Sequence, residues 1–185
     1  MQIVYNKESL SDKIRGYKSS GNKITLIPTM GNLHLGHQAL FSRAPSNTIK
    51  VATIYVNPLQ FDKSDDYQNY PRSLQTDLEI CRQNNIKLVY VPVGDISNEI
   101  VIEKNIDLPK FTRYLCGQKR EGHFLGVYKV VKFLFSIVNP DFACFGKKDF
   151  QQLMLIKYLA NTFFPSTHII DLDTVRSPNN IACLL

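Results

Sequence analysis

No apolar run in this 185-residue chain approaches the roughly 20 residues that a bilayer-spanning helix needs. The opening Met1-Gln2-Ile3-Val4-Tyr5-Asn6-Lys7-Glu8 lacks the charged-then-apolar pattern of a secretory leader. No C-x-x-C pair occurs: the four cysteines, Cys81, Cys116, Cys144 and Cys183, are scattered, and three have apolar neighbours. That pattern favours buried reduced thiols over disulfides or a metal site, so no metal ligands are assigned. A stripe of Lys and Arg with interleaved aromatics is also missing. The formal charge of +6 is spread thinly, with local clusters at Lys119-Arg120 and Lys147-Lys148. Such a distribution argues against nucleic acid as a partner and suits small anionic substrates. The chain has no internal repeat and no low-complexity linker. These absences predict a cytoplasmic protein that binds neither membrane nor nucleic acid.

What is present predicts one substantial domain with a real core, since the hydrophobic fraction of 44% is ordinary for a globular chain. Strand and helix signals alternate. Short β-rich runs over 2–5, 23–27, 49–56, 86–91, 141–145 and 168–172 read as strands. Between them, helical spacing marks segments ending near Gly21, and over 37–43, 73–84, 123–138 and 149–163. Leu10, Ile14 and Tyr17 form one such face. Val127, Val130, Val131, Leu134, Phe135 and Val138 form another. Repeated β-α-β units imply an α/β fold with a Rossmann-like, doubly wound, mainly parallel sheet. Ligands of such sheets bind at the carboxyl ends of strands, near a switch in strand order. Residues 92–109 are polar and irregular and read as an excursion from the sheet.

Four motifs sit just after a predicted strand or open a predicted helix. In the first, Pro28-Thr29-Met30-Gly31-Asn32-Leu33-His34-Leu35-Gly36-His37, a strand, a Gly-bearing turn and a helix start make a phosphate site. Unpaired backbone N–H groups and the positive helix end are expected to face an anion there. His34 and His37 lie on one side of the first turn, and Gly36 keeps a side chain off the phosphates. In the second, Val56-Asn57-Pro58-Leu59-Gln60-Phe61, two amides suit the hydroxyls and carboxylate of a hydroxy acid, and Phe61 walls an apolar part of it. The third, Arg120-Glu121-Gly122-His123-Phe124, places Gly122 and His123 at a helix start. The fourth runs from Gly146 through Lys147, Lys148, Asp149, Phe150 and Gln151 to Gln152. There Gly146 permits close backbone approach, Asp149 suits the N-cap, Lys148 meets a phosphate and Gln152 a polar substrate. Each motif alone is matched by a bland alternative: a surface histidine pair, an Asn-Pro turn, a capping histidine, a capped helix with surface lysines.

Together with Tyr70-Pro71-Arg72, these motifs stand in the order seen in pantothenate synthetases, and the chain resembles that family from about residue 24 to residue 176. The His-x-Gly-His turn is similar to that of the nucleotidyltransferases that adenylate acids. The resemblance implies an HUP-type Rossmann-like domain. It implies ATP-dependent condensation of pantoate with β-alanine through a pantoyl-adenylate, giving pantothenate, AMP and pyrophosphate, with Mg²⁺ as a further cofactor. No protein nucleophile is needed, which agrees with the lack of a Ser-His-Asp or Cys-His pattern. Carried over by motif, His34, His37 and Lys148 act on the phosphates. Met30, Gly31, Asn32, Leu33, His34, Leu35, Gly36, His37, Gly146, Lys147, Lys148, Asp149 and Val175 contact ATP. Asn57, Gln60, Arg120, His123 and Gln152 line the pantoate side, and Gln60 also lies near β-alanine. The family usually carries an acidic residue at the position of Lys147. A homodimer through this domain is implied as well.

The tail departs from the family pattern. After Val175-Arg176 the family has a loop, ending in two serines, an arginine and an asparagine, that clamps the triphosphate. Here Ser177-Pro178-Asn179-Asn180-Ile181-Ala182-Cys183-Leu184-Leu185 follows, with Leu184 and Leu185 at the serine positions. The expected organisation is a Rossmann-like ATP/pantoate-binding domain over 1–176 and a divergent remnant of the clamp loop over 177–185, without the family's C-terminal domain. This leaves open an active ligase, a related nucleotidyltransferase with another substrate, against which Asn57, Gln60 and Gln152 argue, and a divergent nucleotide-binding homologue with weak or no ligase activity.

Overall fold

The computed structural model describes residues 1–100 and 106–182. The expectations for Cys183, Leu184 and Leu185, and for part of the 92–109 excursion, lie outside the described residues. The six predicted strands form: β1 (Gln2–Val4), β2 (Lys23–Thr29), β3 (Thr48–Ile54), β4 (Leu88–Tyr90), β5 (Phe142–Gly146) and β6 (His168–Leu172). They make one sheet in the order β1-β4-β3-β2-β5-β6, every neighbouring pair parallel.

Alternation along the strands shows why the sheet is covered on both faces. Ile24, Leu26, Val51, Leu88, Tyr90, Ala143 and Phe145 point into one apolar cluster. Ile27, Ala52, Val89 and Cys144 point into the other. The first cluster is closed by α1 (Lys7–Ser19), α6 (His123–Val138) and α7 (Phe150–Phe163), the second by α2 (Leu35–Arg43) and α4 (Leu74–Gln83). Period-two strands with apolar residues on both faces are what a doubly wound sheet requires. The short helices α3 (Ser64–Gln68) and α5 (Cys116–Lys119) and three 3-10 turns were not visible in the sequence. They are too short to show a helical period.

Chain order and strand order disagree at β2. From β2 the chain runs through β3 to β4 on one side, then crosses by α6 to β5 on the other. The carboxyl ends of β2, β3, β5 and β6 thereby open around a switch point, where parallel sheets gather ligands. Among the described residues no helix is long and apolar enough to cross a membrane. Cys81 and Cys144 are buried and Cys116 is exposed. Burial pushes the Cys81 thiol up to about 12 and the Cys144 thiol up to about 11.

Candidate functional site

A cavity of about 420 Å³ occupies the switch point. Its walls bring together Met30, His34, Gly36 and His37 after β2, Asn57, Gln60 and Phe61 after β3, and Gly146, Lys148, Asp149 and Gln152 after β5. Arg120 and His123 enter from the start of α6, and Val175 from beyond β6. Four sequence motifs, the first and last more than a hundred residues apart, thus converge on one hollow of ligand-binding size.

Helix α2 starts two residues earlier than its apolar pattern suggested, and His34 is its N-cap. The two imidazoles cap the turn reciprocally. His34 Nδ1 accepts from the Gly36 N–H at 3.0 Å, and His37 Nδ1 accepts from the His34 N–H at 3.3 Å. A backbone N–H can only donate, so both Nδ1 atoms are unprotonated and each ring carries its proton on Nε2. The ring centroids are 4.2 Å apart. Burial and then Lys148 lower the pKa of His34. Burial, the His34 ring and Lys148 bring His37 down to about 4. The pair therefore faces the cavity as neutral Nε2–H donors.

The expectation of unpaired backbone donors in this turn is narrowed, since most of them have partners within the chain. Besides the N–H groups held by the imidazoles, Asn32 N–H donates to Asp77 Oδ2 at 3.0 Å and Leu33 N–H to Asp77 Oδ1 at 2.7 Å. Gly31 N–H donates to Thr29 Oγ1 at 3.3 Å. A buried carboxylate and two imidazoles have taken these donors, so the groups left for an anion are mainly side chains. Gly31, Asn32, Leu33 and Leu35 are not among the cavity walls. Leu33 packs into the second apolar cluster and Leu35 is 65% exposed.

The lysine pair divides. Lys148 lines the cavity and makes no ion pair among the described residues. Lys147 turns outward, its Nζ 2.7 Å from Asp173 Oδ1 and 3.3 Å from Asp171 Oδ1. Gly146 has an ordinary φ of −87° and room for a Cβ, so neither backbone conformation nor packing demands glycine there. Asp149 occupies the N-cap position of α7 without a side-chain cap bond, because a 3-10 turn over Lys147–Asp149 precedes the helix.

Gln60 is the hub of the group that follows β3. Its carbonyl accepts from His123 Nδ1 at 2.8 Å and from Arg120 Nη2 at 3.4 Å. Arg120 Nη1 donates to His123 Nε2 at 3.3 Å, which fixes His123 as the neutral Nδ1–H tautomer with both nitrogens engaged. Burial is the main cause of its lowered pKa. Asn57, 1% exposed, donates from Nδ2 to Gln60 Oε1 at 3.1 Å and to Gly126 O at 3.2 Å. Its Oδ1 accepts from the Leu59 N–H at 3.2 Å. Asn57 and His123 thus hold Gln60 in place, and Gln60 Nε2, 3.1 Å from Met30 Sδ, is the amide end left for a ligand. The adjacent glutamines of the fourth motif also separate. Gln152 faces the cavity, whereas Gln151 bonds the Cys116 N–H and the carbonyls of Phe111 and Tyr114. Phe61 stands edge-on to Tyr67 and Tyr70, with centroids 5.5 and 5.8 Å away.

Sequence reasoning assigned no site role to Thr53, Tyr55, Tyr70, Asp173 and Thr174, which line the walls. Tyr55 and Thr174 directly flank motifs already singled out, which was the available signal. Residues 176–182 turn back on themselves through an Arg176–Ala182 bridge and an Arg176 Nη1 bond of 3.0 Å to Asn180 O.

A family profile described as Pantoate-beta-alanine ligase matches residues 2–184. The chain is similar to the Pantothenate synthetase of Aliivibrio fischeri, 43% identical over 98% of this chain and 64% of that protein. The Pantothenate synthetase of Vibrio vulnificus is 40% identical over 98% of this chain and 62% of its own length. The chain thus spans somewhat less than two thirds of these curated relatives. Among solved structures, the Pantoate-beta-alanine Ligase from Francisella tularensis, complexed with beta-gamma ATP and beta-alanine, superposes with a TM-score of 0.91. It is 35% identical, and the match covers all of this chain and 71% of that one. The Pantothenate Synthetase from Thermus thermophilus gives a TM-score of 0.90 at 32% identity, covering all of this chain and 66% of its own.

Proposed function

Because this chain belongs to the pantoate-beta-alanine ligase family, we propose that its cavity binds ATP beside pantoate and serves the AMP-forming condensation of pantoate with β-alanine. The observation that carries this reading is the pairing of two chemistries in one hollow. His34, His37 and Lys148 offer donors and a cation, and Gln60 and Gln152 offer amides, on the walls of the same cavity.

In the proposed reaction a pantoate carboxylate oxygen attacks the α-phosphorus of ATP, the bond to the pyrophosphate oxygen breaks, and pantoyl-adenylate forms. The β-alanine amine then attacks the acyl carbon, loses a proton and expels AMP. The residues of this chain act by holding reactants in line. The two Nε2–H groups and the Lys148 ammonium hold phosphate oxygens while charge builds on the leaving group. Gln60 Nε2 and the Gln152 amide orient the hydroxy acid, and Phe61 covers its apolar part. Among the described residues no three His, Cys, Asp or Glu side chains cluster as a cation cage. Mg²⁺ would enter with the triphosphate, and Asp149 and Asp173 are the carboxylates on the wall that could help to hold it. When bound, it supplies further neutralisation of the phosphates. Assembly as a homodimer through this domain belongs to the same proposal, and sedimentation equilibrium at two concentrations tests it.

The test of the activity is AMP release from ATP with pantoate and β-alanine, with each substrate omitted in turn, beside calorimetry with ATP–Mg²⁺ and with pantoate. AMP formation that needs both acid and amine is expected. A chain that binds neither ATP nor pantoate would refute the reading.

A further inference from the structure

Asp77 lies in the first turn of α4, five residues after the Tyr70-Pro71-Arg72 motif, and is 1% exposed. A buried carboxylate is costly unless its oxygens are satisfied. Here Oδ1 accepts from the Leu33 N–H at 2.7 Å and from Ser73 Oγ at 3.2 Å, and Oδ2 accepts from the Asn32 N–H at 3.0 Å. The amino end of α4 adds its favourable field. Around this carboxylate the chain turns through two successive residues with positive φ, Gly31 at 84° and Asn32 at 48°. A Cβ on Gly31 would stand 2.9 Å from Asp77 Oδ2 and 3.2 Å from the Ile54 side chain. The glycine of the phosphate turn is therefore shaped to its carboxylate partner as well as to its own φ. No cation pairs with Asp77 among the described residues, and a negative charge beneath an anion site brings no attraction to an incoming phosphate. Its contribution is geometric: it fixes the Gly31–Asn32 and Asn32–Leu33 peptide units, which lead into His34, the residue from which both imidazoles take their aim.

We propose that Asp77 is the positioning residue of the phosphate turn, holding Asn32 and Leu33 so that the His34 and His37 Nε2–H groups are preset toward the cavity. The inference rests on the reading that this turn takes up ATP. Its test compares the wild-type chain with Asp77→Asn, which keeps the volume but opposes one N–H with its own amide, and with Ser73→Ala, which removes only the supporting hydroxyl. Hydrogen exchange at the Asn32 and Leu33 amides is read together with calorimetric affinities for ATP–Mg²⁺ and pantoate. Expected in Asp77→Asn is at least tenfold faster exchange at both amides and at least tenfold weaker ATP binding, with pantoate affinity within twofold. Ser73→Ala should shift exchange and ATP affinity two- to fivefold in the same direction, and it carries the test should Asp77→Asn not fold. Loss of stability alone does not predict a loss confined to ATP. A wild-type chain that binds no ATP removes the functional reading and this inference with it. A wild type that binds ATP, beside a folded Asp77→Asn or, failing that, a Ser73→Ala variant that binds it equally well, removes this inference alone.

Discussion

Replacing Gly126 by alanine should separate the two halves of the cavity. In α6 the backbone at Gly126 lies directly against the 3-10 turn over Pro58–Gln60. A Cβ there would sit 2.0 Å from Leu59 O, 2.3 Å from Leu59 C and 2.6 Å from Gln60 N. These are backbone atoms that cannot swing aside, and ordinary contact begins near 3.4 Å, so helix and turn must part by more than 1 Å. That movement breaks the 3.2 Å bond from Asn57 Nδ2 to Gly126 O. Overpacking of this kind costs ~1–3 kcal/mol and the lost hydrogen bond ~0.5–1.5 kcal/mol. For a domain of this size each kcal/mol lowers Tm by about 2–4 °C, so Gly126→Ala should melt roughly 3–18 °C below wild type. The ligand effect should be one-sided. Gln60 is held by Asn57 beneath it and by His123 and Arg120 at the start of α6, so pantoate affinity should fall at least tenfold. The phosphate turn belongs to β2 and α2, so ATP affinity should stay within about threefold. Circular-dichroism melting and calorimetry with each ligand decide the matter. A Tm within 1 °C of wild type, or equal losses for both ligands, would refute the reasoning.

Three further outcomes follow from the same geometry. Lys148→Ala should weaken ATP binding about tenfold or more, the range for a hydrogen bond to a charged group, while Lys147→Ala leaves it within twofold because that ammonium engages Asp171 and Asp173; titration calorimetry on both variants checks this. Gln152→Ala should lower pantoate affinity with little change in melting, whereas Gln151→Ala, which loses three hydrogen bonds to the α5 region, should lower Tm with pantoate affinity less affected. For His37, with a pKa of about 4 in the folded chain against 6.5 unfolded, the unfolded state binds more protons between those values. Its contribution to stability is thus complete above pH 6.5 and is lost as pH falls toward 4, by at most roughly 3 kcal/mol; urea titrations across that window should show a shallower slope for His37→Gln.

The parallel sheet was legible in the sequence because each strand is a short β-rich run and each long helix carries its own apolar stripe. Many residues of the cavity wall were legible too, since three of the four motifs follow strand ends, although Gly31, Asn32, Leu33, Leu35 and Lys147 stand off it. Their roles were less so. Asn57 and His123 read as ligand-binding side chains and do line the cavity, but the structure also ties His123 to Gln60 across 63 residues and Asn57 to Gly126 across 69, pairings that no local pattern reveals. Asp77 was invisible for the same reason. It stands in an amphipathic helix beside Leu78 and Cys81, and its meaning lies in two backbone N–H groups 44 and 45 residues earlier. The short helix α3 escaped because its end is secured from outside. Arg72 closes it by donating to the carbonyls of Tyr67, Gln68 and Tyr70.

The reciprocal capping of His34 and His37 carries a consequence for how substitutions at this turn combine. Each ring steadies a peptide N–H that belongs to the other's surroundings, so neither imidazole can be removed without unsettling the frame that aims its neighbour. The two positions then behave as one unit of inheritance. Either single replacement by alanine forfeits most of what the pair provides, and the second adds little. Neighbours that share a network commonly show coupling of about 0.5–3 kcal/mol, and a double-mutant cycle on ATP affinity should find a value in that range. A lineage that lost one of these histidines would face little further selection to keep the other.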